Sequence, residues 1–305
     1  MTLLITHDAA RRHLTPDGHP EQVARYGAVM DALEGLDMRR IEAPVADDAE
    51  ILRCHPQSYL DRIRAALPDE GFAMLDGDTH LSPGSLEAAL RAVGGAIAGV
   101  DAVLDGRAGS AFVAMRPPGH HAERETAMGF CLFGTAAIAA KYALDARGLE
   151  RVAVLDFDVH HGNGTQDLLW DEKRAFFAST HQMPLYPGSG HEREKGAHGQ
   201  IMNVALPPGT AGAEARAAWG DIIEAMRETR PQLVIVSAGF DAHHADPLAN
   251  LNWDEDDFAV ITDWIAAAAQ SSGAPVVSCL EGGYNLDALG PSVRVHVESL
   301  MRVCG

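Results

Sequence analysis

The chain has 305 residues, with 24 Lys or Arg against 43 Asp or Glu, a formal net charge of −19 spread along its length. That balance excludes an extended nucleic-acid surface, which needs clustered cations against phosphates. A composition of 47% hydrophobic and 22% charged residues excludes a disordered or fibrous chain. Cys54, Cys131, Cys279 and Cys304 are too scattered for a disulfide framework or a thiolate metal site. No apolar run approaches the roughly 18 residues of a membrane span, and Asp8 comes too early for a signal peptide. A cytoplasmic location without membrane contact is expected.

Residues 3–6 read as the first strand, and 21–36 as an amphipathic helix. An irregular stretch at 68–83 precedes a long helix at 85–104. From residue 110 strands and helices alternate, with strands at 110–115, 151–155, 175–179, 201–205, 232–237 and 275–280. The helices fall at 135–146, 213–229, 254–270 and 287–302. Val152-Ala153-Val154-Leu155 and Leu233-Val234-Ile235-Val236 are apolar on both faces, as in parallel strands covered by helices on two sides. The alternation predicts a doubly wound α/β fold. No Pro/Ser/Gly-rich linker or repeat divides the chain, so one domain over 1–305 is expected. The second irregular segment, 183–200, is long enough to serve a site.

Four strand predictions run into unusual polar sequences. Residues 110–115 lead into Arg116-Pro117-Pro118-Gly119-His120-His121, and 151–155 into Asp156-Phe157-Asp158-Val159-His160-His161-Gly162-Asn163-Gly164. Residues 232–237 lead into Ala238-Gly239-Phe240-Asp241-Ala242-His243-His244-Ala245-Asp246-Pro247, and 275–280 into Glu281-Gly282-Gly283-Tyr284-Asn285. In open parallel sheets ligands bind at the carboxyl ends of strands, so four such ends predict one crevice.

Asp158 and His160, two apart as the chain leaves a strand, point to the same side and can share a metal. Asp oxygen and His nitrogen suit Zn²⁺, with Asp241 as a third ligand and open positions for water and substrate. The same donors accept Fe²⁺. The bland alternative, a helix cap and a core histidine, fits a lone His better than Asp-x-His-His in a Gly-flanked loop. A neutral imidazole from His120-His121 can accept a water proton and return it to a leaving amine. Asp156 and Asn163 are placed to orient those rings. Tyr284, after two flexible glycines, can donate its hydroxyl to an oxyanion.

Taken together these residues resemble the zinc-dependent histone deacetylase family of the arginase–deacetylase superfamily, with Asn163 and the Asp241–Leu248 stretch similar to its class II branch and bacterial relatives. The matching stretches also include Gly129-Phe130-Cys131, and more weakly Gly18-His19-Pro20-Glu21 and His55-Pro56-Gln57-Ser58-Tyr59, so the resemblance spans nearly the whole chain. It implies a three-layer α/β/α domain around a mostly parallel sheet of about eight strands. It also implies Asp158, His160 and Asp241 as zinc ligands, His121 as general base and acid, and His120 as its electrostatic partner. Asp156 would stand behind His120, Asn163 behind His121, and Tyr284 would stabilise the oxyanion. Gly129, Phe130 and Tyr186 would wall an acyl-lysine tunnel, Tyr186 standing where eukaryotic members usually carry Phe. A K⁺ site is implied at the side chains of Asp156, Asp158 and Ser179 and the carbonyls of His160 and Thr180.

The family's polyamine-selective members carry an acid at the position of Leu248. Leu there, and the apparent lack of their dimer-forming insertion, tilt the expected substrate toward acyl-lysine peptide or protein, with acetylated polyamine as the alternative. Asp78 is a rim candidate for gripping the substrate backbone. Leu132-Phe133-Gly134-Thr135 departs from the family's Asn-rich turn. Gly162 and His243 replace the extra carboxylates of binuclear arginases, which disfavours a second catalytic metal. A silent acyl-ligand binding module would be expected to have lost a ligand or the tyrosine, and none is missing. A phosphate-cleaving enzyme would need cationic clamps beyond Arg116. Oligomeric state is left open.

Overall fold

The computed structural model describes residues 1–304. Strand β1 (Thr2–Thr6) leads through a short 3₁₀ turn to helix α1 (Ala24–Ala32) and strand β2 (Arg39–Glu42). Helices α2 (Asp48–Ile51) and α3 (Gln57–Ala65) and the hairpin β3 (Ala73–Met74) and β4 (His80–Leu81) precede the long α4 (Ser85–Leu104). Then come β5 (Ser110–Ala114), α5 (Thr135–Asp145), β6 (Val152–Asp156), α6 (Asn163–Leu168), β7 (Ala175–Gln182) and β8 (Ile201–Leu206). The chain continues through α7 (Gly212–Thr229), β9 (Val234–Ala238), α8 (Glu255–Ser271) and β10 (Val276–Leu280) to α9 (Leu286–Cys304).

Eight strands form one sheet in the order β2-β1-β5-β10-β9-β6-β7-β8. Each neighbouring pair in it is parallel, so the expected mostly parallel sheet is wholly so. Alternating side chains feed two cores, because successive residues of a strand face opposite sides. Leu3, Ile5, Val113, Val154, Ile235 and Val277 pack with α4 and α5 on one face. Leu4, Phe112, Leu155, Val236 and Val276 pack with α1, α7, α8 and α9 on the other. Apolar character on both faces of each strand is thereby accounted for. The long α8 starts on a capping box, Asp254 accepting from the Asp257 N–H and Asp257 from the Asp254 N–H.

Differences from expectation have local causes. Strand β2 is an edge strand with mostly exposed side chains, Arg39 and Arg40 among them; polarity hides its pattern and protects the edge. Strand β7 runs to Gln182 rather than 179, because its polar end pairs with β8 through His181 and Gln182. Helix α1 starts at Ala24 rather than 21, and Glu21 is turned into the interior. The irregular stretch 68–83 contains the β3–β4 hairpin, whereas 183–200 holds no regular element.

Several histidines are structural. His296 sits between the Thr262 and Ser278 hydroxyls at 2.7 and 2.8 Å. His55 Nε2 accepts from the Gly134 N–H at 3.0 Å, and the His161 and His181 rings, tilted to one another with centroids 4.7 Å apart, hydrogen-bond Ser189 and Gly190 of the 183–200 segment. Burial lowers the pKa of His55 and His181 to about 4 and of His161 and His296 to about 3. The folded state keeps the His296 ring neutral while the unfolded chain protonates it near pH 6.5. Its contribution is therefore complete above that pH and is lost as the pH falls toward about 3. We predict that His296→Gln lowers the slope of unfolding free energy against pH by about 1.4 kcal/mol per pH unit, one proton, between about pH 6 and 4. Urea titrations at a series of pH values measure this, and an unchanged slope would contradict it.

Candidate active site

The polar strand extensions follow β5, β10, β9 and β6, which are consecutive in the sheet. Their ends are aligned by register, Asp156 opposite Ser237 and Leu280 opposite Ala238. Four segments remote in sequence therefore meet at one edge.

Asp158, His160 and Asp241 are buried there, each offering a ligand atom within 4.8 Å of the others. His160 Nδ1 lies 3.2 Å from Asp158 Oδ1 and 3.0 Å from Asp241 Oδ2. Backbone groups aim the remaining oxygens: Val159 N–H donates to Asp241 Oδ1 at 2.9 Å, and Gly282 N–H to Asp158 Oδ2 at 2.8 Å. Gly239 and Gly282 are required at this approach, because a Cβ on either would overlap the carboxylates. Two fully buried carboxylates facing one point repel each other and need a cation. Burial alone would lower the His160 pKa, but Asp241 and Asp158 outweigh it and hold it up at about 10. Mixed Asp oxygen and His nitrogen donors with open positions fit a divalent transition metal.

The histidine pair lies alongside, with rings 4.0 Å apart. His120 Nδ1 is 3.0 Å from Asp156 Oδ2 and His121 Nδ1 is 2.7 Å from Asn163 Oδ1. Asn163 Nδ2 donates to Glu123 Oε1 at 2.8 Å, which turns its oxygen toward His121 and makes His121 Nδ1 the protonated nitrogen. The two rings are pushed apart electrostatically. Burial opposes the charge on His120, but Asp158 and Asp156 override it and raise the pKa well above the ordinary value. Burial, then His120 and His160, drive that of His121 well below it.

Above the pair opens a cavity of about 350 Å³, bounded by His19, Pro20, Asp78, His80, Gly129, Phe130, Leu185, Tyr186 and Leu248, with His121, His160 and Tyr284 also on its surface. Tyr186 meets His121 edge-on at 5.2 Å, and Phe130 meets Tyr284 at 5.7 Å. Gly129 has φ +54° and no room for a Cβ against His121. Phe130 also takes a positive φ, 69°, with its N–H donating to Thr79 Oγ1 at 3.1 Å. Asp78 is half-buried on the β3–β4 turn. The Tyr284 pKa is pushed well up by burial and Asp241, so its phenol stays protonated. Asp156 and Ser179, at the expected K⁺ position, are register partners across β6 and β7, and Asp158 N–H donates to Asp156 Oδ1 at 3.0 Å. The Thr180 hydroxyl accepts from the Trp219 ring N–H at 3.1 Å, turned away into the core. Asp158, His160 and Asp241 thus meet His120, His121, Asp156 and Asn163 at this edge, with Gly129, Phe130, Tyr186, Leu248, Asp78 and Tyr284 on the cavity, whereas Ser179 and Thr180 lie on β7, Ser179 Oγ meeting His181 Nδ1 at 3.0 Å.

The structure adds residues that motifs did not single out. Glu281 accepts from the N–H groups of Gly119 and His120 at 2.6 and 3.1 Å, tying the tyrosine segment to the histidine loop. Asp246 accepts from the Tyr284 N–H at 2.6 Å. Both stand inside the quoted strand-end segments, and their burial was the missing information. Arg25, on α1, reaches the carbonyls of Glu281 and Gly283 and has no sequence signal beyond its type.

Residues 19–300 match the histone deacetylase domain. An uncharacterized protein of Synechocystis is 44% identical over 95% of this chain and 96% of its own. A histone deacetylase-like amidohydrolase of Pseudomonas aeruginosa is 41% identical over 87% of this chain and 72% of its own. The crystal structure of the HDA15 HD domain superposes with a TM-score of 0.92 at 28% identity, covering 99% of this chain and 89% of that one.

The buried triad predicts one divalent ion per chain. Removing a ligand in Asp241→Asn should weaken binding by more than the roughly 10–100-fold typical of losing an outer partner. Competition with a chelating dye measures this, and wild-type affinity in the variant would contradict it.

Proposed function

The chain belongs to the histone deacetylase family, and we propose that it is a single-domain, metal-dependent amide hydrolase that removes acetyl or related acyl groups from lysine side chains. The observation that carries this reading is the meeting of the Asp158–His160–Asp241 cluster, His121 and Tyr284 on one cavity lined by Phe130 and Tyr186.

When bound, Zn²⁺, with Fe²⁺ as the alternative the donors allow, supplies a Lewis acid that polarises the acyl carbonyl and acidifies water. His121, with Nδ1 engaged by Asn163, presents Nε2 to take the proton of the attacking water and then hand it to the leaving amine. His120, charged against Asp156, contributes positive potential beside the developing oxyanion. Tyr284 donates its hydroxyl to that oxyanion. Phe130 and Tyr186 flank the aliphatic side chain of the substrate, with Gly129 allowing the close approach. Asp78 accepts a substrate backbone N–H at the rim. Asp156, Asp158 and Ser179, with the carbonyls of His160 and Thr180, would hold K⁺ as a structural cation.

Leu248 on the cavity wall, where an acid would select a polyamine, supports acyl-lysine in a peptide or protein over acetylpolyamine. The net charge of −19 suits basic partners of either kind. Among the described residues no helix is long and apolar enough to cross a membrane. We place the enzyme in the cytoplasm.

Tyr284→Phe should lose about 10²–10³ in kcat, the cost of an oxyanion donor, while still binding a hydroxamate. Wild-type-like turnover would contradict the role. Asn163→Asp puts a negative charge against the His121 Nδ1–H, raises its pKa, and should move the acidic limb of the kcat/KM profile to higher pH. An unmoved or lowered limb would remove His121 as the base. On a panel of matched substrates, acetyl-lysine peptides should be cleaved with higher kcat/KM than acetylated polyamines, and the reverse order would favour the polyamine reading.

A further inference from the structure

We propose that Glu21 is a positioning residue that sets the tyrosine segment against the histidine loop, acting through Arg25 and Arg116 without touching substrate. This rests on the role proposed for Tyr284. Glu21 lies before α1 and is fully buried. Its Oε1 accepts from Arg116 Nε at 2.6 Å and Arg25 Nη1 at 2.9 Å, and its Oε2 accepts from Arg116 Nη2 at 2.5 Å. The two guanidinium groups so gathered lead to different parts of the site.

Arg116 opens the segment that carries His120 and His121, and its Nη1 donates to the Ala10 and His13 carbonyls at 2.7 and 3.0 Å. Arg25 holds the tyrosine segment: Nε donates to the Gly283 carbonyl at 2.6 Å and Nη2 to that of Glu281 at 2.5 Å. Its Cζ lies 4.9 Å from the centre of the Tyr284 ring. The segment needs such a hold. Gly282 and Gly283 carry no side chains to anchor them, and Gly283 sits at φ +120°, a conformation easily exchanged for others.

One carboxylate therefore neutralises two arginines that would otherwise repel each other, and fixes the rotation of Arg25 so that its remaining donors meet both carbonyls. The planar fork of each guanidinium gives directional contacts that a point charge would not. The Glu21 N–H also donates to His19 Nδ1 at 3.1 Å, and His19 Nε2 meets the Asp78 carbonyl at 2.9 Å, extending the same anchor to the cavity wall. Losing the carboxylate should let the phenol drift from the position where it meets the oxyanion, a cost paid in the transition state more than in substrate binding.

The test is a double-mutant cycle, with rates expressed per hydroxamate-binding, metal-loaded site so that unfolded protein does not count. Glu21→Gln should lower kcat about tenfold or more in the presence of Tyr284, with KM changed less than about threefold. In a Tyr284→Phe background the same substitution should lower kcat less than about twofold, the non-additivity expected of groups acting as a unit. An equal fall in both backgrounds, or no fall in the first, overturns the proposal and leaves the role of Tyr284 standing. Wild-type-like turnover of Tyr284→Phe alone removes that role and the proposal with it. Should Glu21→Gln not fold, Arg116→Lys carries the same cycle, keeping the charge while forfeiting the two-point contact, with the same outcomes deciding.

Discussion

Two carboxylates with no solvent exposure, Asp158 and Asp241, share the end of a parallel sheet, and the surrounding structure is organised by the need to hold that charge. Like charges at this separation are costly in a low-dielectric interior. The fold answers with backbone N–H groups from Val159 and Gly282, with an imidazole between the acids, and with glycines wherever another chain must approach them. A divalent ion would complete the arrangement. The same demand explains why glycines border the acids at positions 239 and 282, where a Cβ would occupy the carboxylates' space.

From that centre outward the chemistry follows from position in the sheet. Strands β5, β10, β9 and β6 are neighbours, so the histidine pair, the tyrosine and the acidic cluster arrive together although the chain visits them in a different order. Asp158 and Asp156 raise the pKa of His120 against its burial, while burial and then the neighbouring His120 and His160 lower that of His121, which separates the two rings. Placing unlike protonation states side by side would let one site offer both electrostatic stabilisation and a base at neutral pH, as the proposed mechanism requires. Bonds from Glu281 to Gly119 and His120 keep the opposing loops in register.

Much of this was legible in the sequence. Val152–Leu155 and Leu233–Val236 announced buried parallel strands, and Asp-x-His-His after one of them announced two members of a buried cluster of metal-ligand type. What was hidden was of two kinds. Strand β2 and the end of β7 are polar, the first because an edge faces water and the second because β7 remains paired with β8 beyond its apolar run. Arg25, Glu21 and Glu281 were hidden because a buried charge looks like a surface charge until its partners are known. Arg25 and Gly283 are 258 residues apart, and no local pattern connects them. The 15 histidines also divide in a way composition could not show: His55, His161, His181 and His296 are neutral rings pinned in the interior.

The central claim is that this buried cluster, loaded with one metal ion, hydrolyses an acyl-lysine amide. The most direct measurement is turnover of an acetyl-lysine peptide as metal-free protein is titrated with Zn²⁺ or Fe²⁺ under anaerobic conditions. The account predicts activity absent without metal, rising in proportion to metal and levelling at one ion per chain. Full activity in metal-free protein, or none with one ion bound to each chain, would contradict it.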